Sequence, residues 1–266
     1  MSALTARLDD IKAQGRAALI GYLPVGYPTV KDSIRAMETM VEAGVDIVEV
    51  GLPYSDPVLD GPTIQIAAEH ALRHGTRVPD VFPAVKAVAA TGAPTVVMSY
   101  FNPMLKYGID RFAQALAEAG GVGVITPDLT PESGHEWITA AKAHDLDRIF
   151  LVAPSSTPER LHLTAEASTG FVYAASLMGV TGARASVGEA AERLVLATRE
   201  AGATHVCLGL GVSTGAQAAQ VARYSDGIIV GSALVSCLTA HSSIDDGLAA
   251  LRTKVAELAA GVRGNA

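Results

Sequence analysis

VDIVEVG, residues 45–51, runs directly into LPYSDPVLDGPTIQ, residues 52–65. Strand side chains alternate between faces, so Ile47 and Glu49 share one face while Val48 and Val50 share the other. Both faces are apolar except at Asp46, where the run begins, and at Glu49. A strand apolar on both sides belongs to a parallel sheet with both faces covered. The carboxylate at its C-terminal end then needs a reason, and two more acids, Asp56 and Asp60, follow in the loop.

The same kind of run recurs along the chain. AALIGYL (17–23), PTVVMSY (94–100), GVGVITP (121–127), RIFLVAP (148–154), FVYAAS (171–176), THVCLGLG (204–211) and DGIIVGS (226–232) join VDIVEVG to make eight. Between them lie Ala-, Leu- and Glu-rich segments at helical spacing, such as KDSIRAMETMVEAG. Eight β-then-α units in a chain of 266 residues predict a closed (β/α)8 TIM barrel, an α/β fold. An open doubly wound sheet is the alternative. No Pro- or Ser-rich linker divides residues 1–266, so one barrel domain with an N-terminal extra helix is expected. The interval between the second and third strands is the longest and has room for an extra loop and two helices.

Composition narrows the function. The net charge is −7 with no basic run, which argues against nucleic acid and anionic membranes as partners. No apolar stretch reaches the roughly 18 residues of a membrane span, and the polar N-terminus lacks a signal-peptide core. Two cysteines, Cys207 and Cys237, do not suggest a disulfide framework. These features predict a reduced, cytoplasmic enzyme.

Within a barrel, Glu49 points inward near the C-terminal end of its strand, where barrel active sites lie. Partial desolvation there raises a carboxyl pKa and makes its proton available near neutral pH. The alternative is a Glu49 paired with a buried cation, but the neighbouring strand ends carry almost no Lys or Arg. Asp60, on the following loop, is within reach of the barrel mouth. Its alternative role is an N-cap for PTIQIAAEHAL. The last loops hold few cations but many glycines, at 179–182, 209–211 and 231–232. Backbone N–H groups in such loops, with SALVSCL (232–238) as a short extra helix, can hold a phosphate; turn glycines alone are the other reading. His70 and His74 have the i, i+4 spacing of metal ligands without a third partner, so no metal is expected. Cys207 and Trp137 read as packing residues.

In order along the chain, VEVGLPYSDPVLDGPTIQ, GYLPVGYPT (21–29), YFNPMLKYG (100–108), PDLTPE (127–132), SLMGVTGAR (176–184), GLGVST (209–214) and VGSALV (230–235) resemble the barrel loops of the tryptophan synthase alpha chain family. The resemblance covers nearly the whole chain. Two positions depart from the family's usual residues: Tyr22 stands in place of Phe, and Leu59 in place of a small residue. Both bear on pocket fit more than on the acids.

The resemblance implies a carbon–carbon lyase that cleaves indole-3-glycerol phosphate to indole and glyceraldehyde 3-phosphate by retro-aldol chemistry, within tryptophan biosynthesis. It implies Glu49 as the acid and base and Asp60 as the carboxylate beside the indole N–H. Tyr173, inward-facing by parity with Phe171 and Ala175, reads as a hydrogen-bond partner for the Glu49 region, with a core tyrosine as the alternative. Tyr22, Met98 and Leu210 are implied as the apolar wall, and Thr181 as a contact from a lid, MGVTGARASVGE, to Asp60. Gly182, Gly211, Gly231 and Ser232 are implied as the phosphate site. It further implies a beta chain partner in an alpha2beta2 assembly, carrying the pyridoxal phosphate that this chain lacks a motif to bind. Pro53, Asp56, Asn102, Pro103 and Asp128 are the positions implied to face that partner.

Overall fold

The computed structural model describes residues 2–176 and 184–264. Nine strand segments lie in one sheet: β1 (Ala18–Pro24), β2 (Ile47–Gly51), β3 (Thr95–Met98), β4 (Gly123–Ile125), β5 (Asp147–Ile149), β6 (Leu151–Val152), β7 (Val172–Ala175), β8 (Val206–Gly209) and β9 (Gly227–Val230). Their order is β5-β4-β3-β2-β1-β9-β8-β7-β6, and every pairing is parallel. Only Phe150 separates β5 from β6, so the two ends of the sheet are one interrupted strand and the sheet closes into the eight-fold barrel expected. The interruption differs from the sequence reading, in which residues 148–154 form a single strand.

Side chains sort by strand parity into two apolar clusters. Ile20, Ile47, Val96, Ile125, Ile149, Phe171, Cys207 and Ile229 fill the barrel interior, while Val48, Val50, Val97, Val124, Val172 and Val206 pack outward on the helices. Phe150 and Trp137 are fully buried in the outer layer. The longest interval holds helices Pro62–Arg73 and Val81–Ala89, with a short 3-10 turn between them.

The N-terminal helix Ala3–Ala13 stoppers the bottom of the barrel. It inserts Leu4, Leu8 and Ile11, all essentially unexposed, beneath the interior cluster. Each such side chain contributes roughly 1.5–3 kcal/mol by leaving water. Ion pairs fix its orientation: Arg7 to Asp46 at 3.0 Å and Lys12 to Asp226 at 3.3 Å, with His205 and Asp9 joined at 3.0 Å. Asp46 is also held by Arg16 at 2.7 Å and by the N–H of Leu19 at 3.0 Å. The charges at the N-terminal ends of the strands thus serve stability and leave the opposite end free for chemistry. Among the described residues no helix is long and apolar enough to cross a membrane.

Candidate active site

Glu49 and Tyr22 are register partners on β2 and β1. Both face inward at the C-terminal end of the barrel. Glu49 is 1% exposed, and its Oε2 has no hydrogen-bond partner among the described residues. No cation among them pairs with it, so the buried-cation alternative fails. Burial, reinforced by the charge of Asp60, pushes the Glu49 carboxyl up to about 8. Asp60 lies on the loop after β2. Burial pushes it up to about 6. It is not the N-cap of the following helix: Gly61 holds that position, with Pro62 as the first helical residue. The two carboxyls thus titrate apart, Glu49 keeping its proton to higher pH than Asp60, an order that suits an acid beside an anion.

Two tyrosines line the same space, each lodged against a glycine of the next strand. A Cβ on Gly51 would stand 2.5 Å from the Tyr22 hydroxyl, and one on Gly209 would stand 2.8 Å from Cε1 of Tyr173. No side chain fits at either position while the phenols remain. Tyr173, on β7, lies between Leu151 and Cys207 across the sheet, on the wall opposite β2. Both phenols are raised well above their ordinary value, first by burial and then by the nearby Glu49 and Asp60.

Sequence reasoning misses Tyr100. Its hydroxyl accepts a hydrogen bond from the N–H of Leu59 at 3.0 Å, next to Asp60. Burial pushes its phenol up to about 12. The sequence offers one signal for it, a tyrosine immediately beyond the end of a barrel strand.

The chain as a whole can be placed on the strength of this geometry and its sequence. Residues 8–263 match the family model described as tryptophan synthase alpha chain. The chain belongs to the tryptophan synthase alpha chain family. The tryptophan synthase alpha chain of Mycobacterium intracellulare is 60% identical over 255 residues, spanning 96% of this chain and 92% of that one. That of Mycobacteroides abscessus is 58% identical over 260 residues, spanning 98% and 97%. Among solved structures, Mycobacterium tuberculosis tryptophan synthase superposes with a TM-score of 0.91 at 56% identity, over 98% of each chain. Tryptophan synthase subunit alpha from Legionella pneumophila still reaches 0.90 at 31% identity, over 99% of each.

Other positions expected from the family resemblance fall around the same mouth. Met98 ends β3, partly buried, and Leu210 follows β8, fully buried. Gly211 adopts φ 71°, exposed beyond β8. Gly231 and Ser232 open the helix Ser232–Thr239, the short extra helix expected at 232–238. A Cβ at Gly61 would sit 3.9 Å from the Ser232 hydroxyl, so this helix start adjoins the Asp60 loop. Gly182 and Thr181 lie outside the described residues. The segment read as a lid is shorter than expected on its C-terminal side, because a helix already begins at Arg184.

On the outer rim, Asp56, Asn102 and Asp128 are exposed, and Pro103 is partly so, whereas Pro53 is buried within the chain. Both oxygens of Asp128 accept from the N–H of Phe101, at 2.9 and 3.2 Å, and so fix the start of helix Phe101–Tyr107. Asn102 donates to the Tyr54 hydroxyl at 3.3 Å, and the Tyr54 ring stacks on Tyr100 with centroids 5.0 Å apart. Exposed rim and buried site are thus connected: Asn102 to Tyr54, Tyr54 to Tyr100, Tyr100 to Leu59 and Asp60. Among the described residues no group of three metal-ligating side chains forms. His70 and His74 stack on each other at 4.0 Å, with ring nitrogens turned to the carbonyls of Pro28 and His70.

Proposed function

We propose that the barrel mouth cleaves indole-3-glycerol phosphate to indole and glyceraldehyde 3-phosphate, the reaction of the family, with Glu49 as acid and then base. One observation carries this reading: a carboxyl buried at the C-terminal end of β2, its Oε2 without a partner among the described residues, with Asp60 on the loop that follows. Glu49 gives its proton to indole C3, and the ring becomes a cationic electron sink. Asp60 accepts a hydrogen bond from the indole N–H and offsets the charge that builds there. The Glu49 carboxylate then takes the proton of the glycerol hydroxyl next to the ring. The carbon–carbon bond breaks as that hydroxyl becomes the aldehyde, and its electron pair restores the neutral indole. Glu49 ends protonated, ready for another turnover.

Tyr173 holds the Glu49 region from the opposite wall, and Tyr22, Met98 and Leu210 supply the surface against which the indole lies. Backbone groups at Gly211 and Gly231, with the Ser232 hydroxyl at a helix start, hold the phosphate, together with Gly182. The contact to Asp60 that the family resemblance implies falls to Thr181.

The chain works as a single barrel domain in the cytoplasm, paired with a beta chain in an alpha2beta2 assembly. It carries no cofactor, and pyridoxal phosphate sits in the beta chain. Asp56, Asn102, Pro103 and Asp128 present the exposed rim to that partner, and Pro53 shapes the loop from beneath. Docking there orders the Asp60 loop through Tyr54 and Tyr100, and raises the rate more than tenfold, which needs only about 1.4 kcal/mol. Indole release from indole-3-glycerol phosphate, measured with and without saturating beta chain, tests both claims. No release in either condition overturns the lyase reading. Equal release in both overturns partner control and leaves a stand-alone lyase.

A further inference from the structure

Tyr22 contributes more than a ring to the pocket. Gly51 is the next residue mouthward on the face that carries Glu49, and the Tyr22 hydroxyl is the atom a Cβ on Gly51 would strike first. The hydroxyl therefore stands at the level of Gly51, whose Cα is one two-residue repeat, about 7 Å, mouthward of the Glu49 Cα. An extended glutamate side chain plus one hydrogen bond covers that span. Gly231 packs on the other edge of the ring, with a Cβ there 3.2 Å from Cδ1, so the ring has little room to swing away. Tyr22 is 6% exposed. On the register-paired position of β2, Oε2 of the buried Glu49 carboxyl has no donor among the described residues, the Tyr22 hydroxyl included.

The titratable groups around Glu49 are few: Tyr22 from β1, Asp60 from the loop after β2 and Tyr173 from β7, with Tyr100 beyond β3 near Tyr22 and Asp60, and Cys207 of β8 beside Tyr173. All are neutral or negative at pH 7, so among the described residues no cation is at hand for the anion that forms once Glu49 gives up its proton. We propose that the Tyr22 hydroxyl donates a hydrogen bond to the Glu49 carboxylate in the interval between its acid step and its base step, making Tyr22 a positioning residue for the second half of the reaction. This rests on the reading of Glu49 as the acid and base. A hydrogen bond to a carboxylate is stronger than one to a neutral carboxyl, so the contact favours the mid-reaction state over the resting one. Proton accounting stays simple: the Glu49 proton goes to C3, the substrate hydroxyl returns one, and the phenol keeps its own.

Tyr22→Phe keeps the ring and removes only the donor. The test measures kcat and KM for indole release across pH in the parent chain, Tyr22→Phe and Glu49→Gln. The expected result for Tyr22→Phe is a kcat lower by roughly tenfold with KM within about twofold, and an alkaline limb moved up by about one pH unit. The sign follows because a carboxylate deprived of a donor is less favourable, so its acid keeps the proton to higher pH. An alkaline limb that stays in place overturns the proposal whatever the rate does. Glu49→Gln separates the two levels: if it turns over like the parent, the Glu49 reading fails and the tyrosine's role with it. If it is inactive while Tyr22→Phe keeps the parent limb, only the tyrosine's role fails.

Discussion

The Tyr100 hydroxyl and the backbone N–H of Leu59 meet at 3.0 Å, tying the end of one barrel strand to a loop 41 residues earlier. Leu59 precedes Asp60, so the bond restrains a carboxylate that no strand holds. Tyr100→Phe should lower kcat/KM by about 3- to 10-fold, the worth of one hydrogen bond of roughly 1 kcal/mol. Steady-state assays check it, with thermal unfolding as the control for the fold. An unchanged kcat/KM would show that the loop is held by other means.

The two carboxyls predict a bell-shaped pH dependence. Asp60 must be ionised to face the indole N–H, so the rate rises as pH passes about 6. Glu49 must be protonated to begin, so the rate falls as pH passes about 8. A kcat/KM profile over roughly pH 5–10 reads both limbs. A rate that keeps climbing beyond the upper limb would contradict Glu49 as the acid.

Stability should carry the mark of the same burial. Glu49 has a folded value near 8 against an ordinary value of 4.5. The unfolded chain ionises first, so the native state loses stability as pH rises from about 4.5 through about 8, and is free of this loss at lower pH. The full effect is up to about 5 kcal/mol. Glu49→Gln has no such proton to lose, so its unfolding free energy should exceed that of the parent at about pH 9 by several kcal/mol, with the two much closer at about pH 5. Denaturant titrations at the two pH values measure the difference.

Strand parity makes Glu49 legible in the sequence: in VDIVEVG one carboxylate occupies a face otherwise filled by Ile47. Eight apolar runs likewise announce the barrel. What the sequence hides depends on how strands sit beside one another. Gly51 and Gly209 look like ordinary strand-end glycines until register places Tyr22 and Tyr173 against them. Tyr100 is hidden because its partner is a backbone N–H far back in the chain, which no side-chain spacing reveals. Asp60 is ambiguous for a local reason: acid-Gly-Pro suits a helix start, and only the folded loop shows that Gly61 takes the cap. The break at Phe150 has no local signal, since the run Ile149–Ala153 is apolar throughout.

Asp56→Ala should separate activation from chemistry. Asp56 is exposed on the loop that leads to Asp60, and its carboxylate takes a hydrogen bond from Ser55 at 2.6 Å. The variant should keep most of the basal lyase rate and lose a larger share of the stimulation by the beta chain. Assays of both proteins with and without saturating beta chain compare the two ratios. An equal loss of basal and stimulated rates would place Asp56 in the chemistry instead.

Glu49→Gln decides whether one carboxyl carries both proton transfers. The amide keeps the shape of the side chain and cannot pass a proton. Losing one general acid/base costs about 10²–10⁴-fold, and here one group serves two steps, so kcat for indole release should fall by the upper part of that range or more. Binding of indole-3-glycerol phosphate, followed by calorimetry on the same preparation, should stay within a few fold of the parent. Turnover near that of the parent chain, with the substrate bound normally, would remove Glu49 from the chemistry.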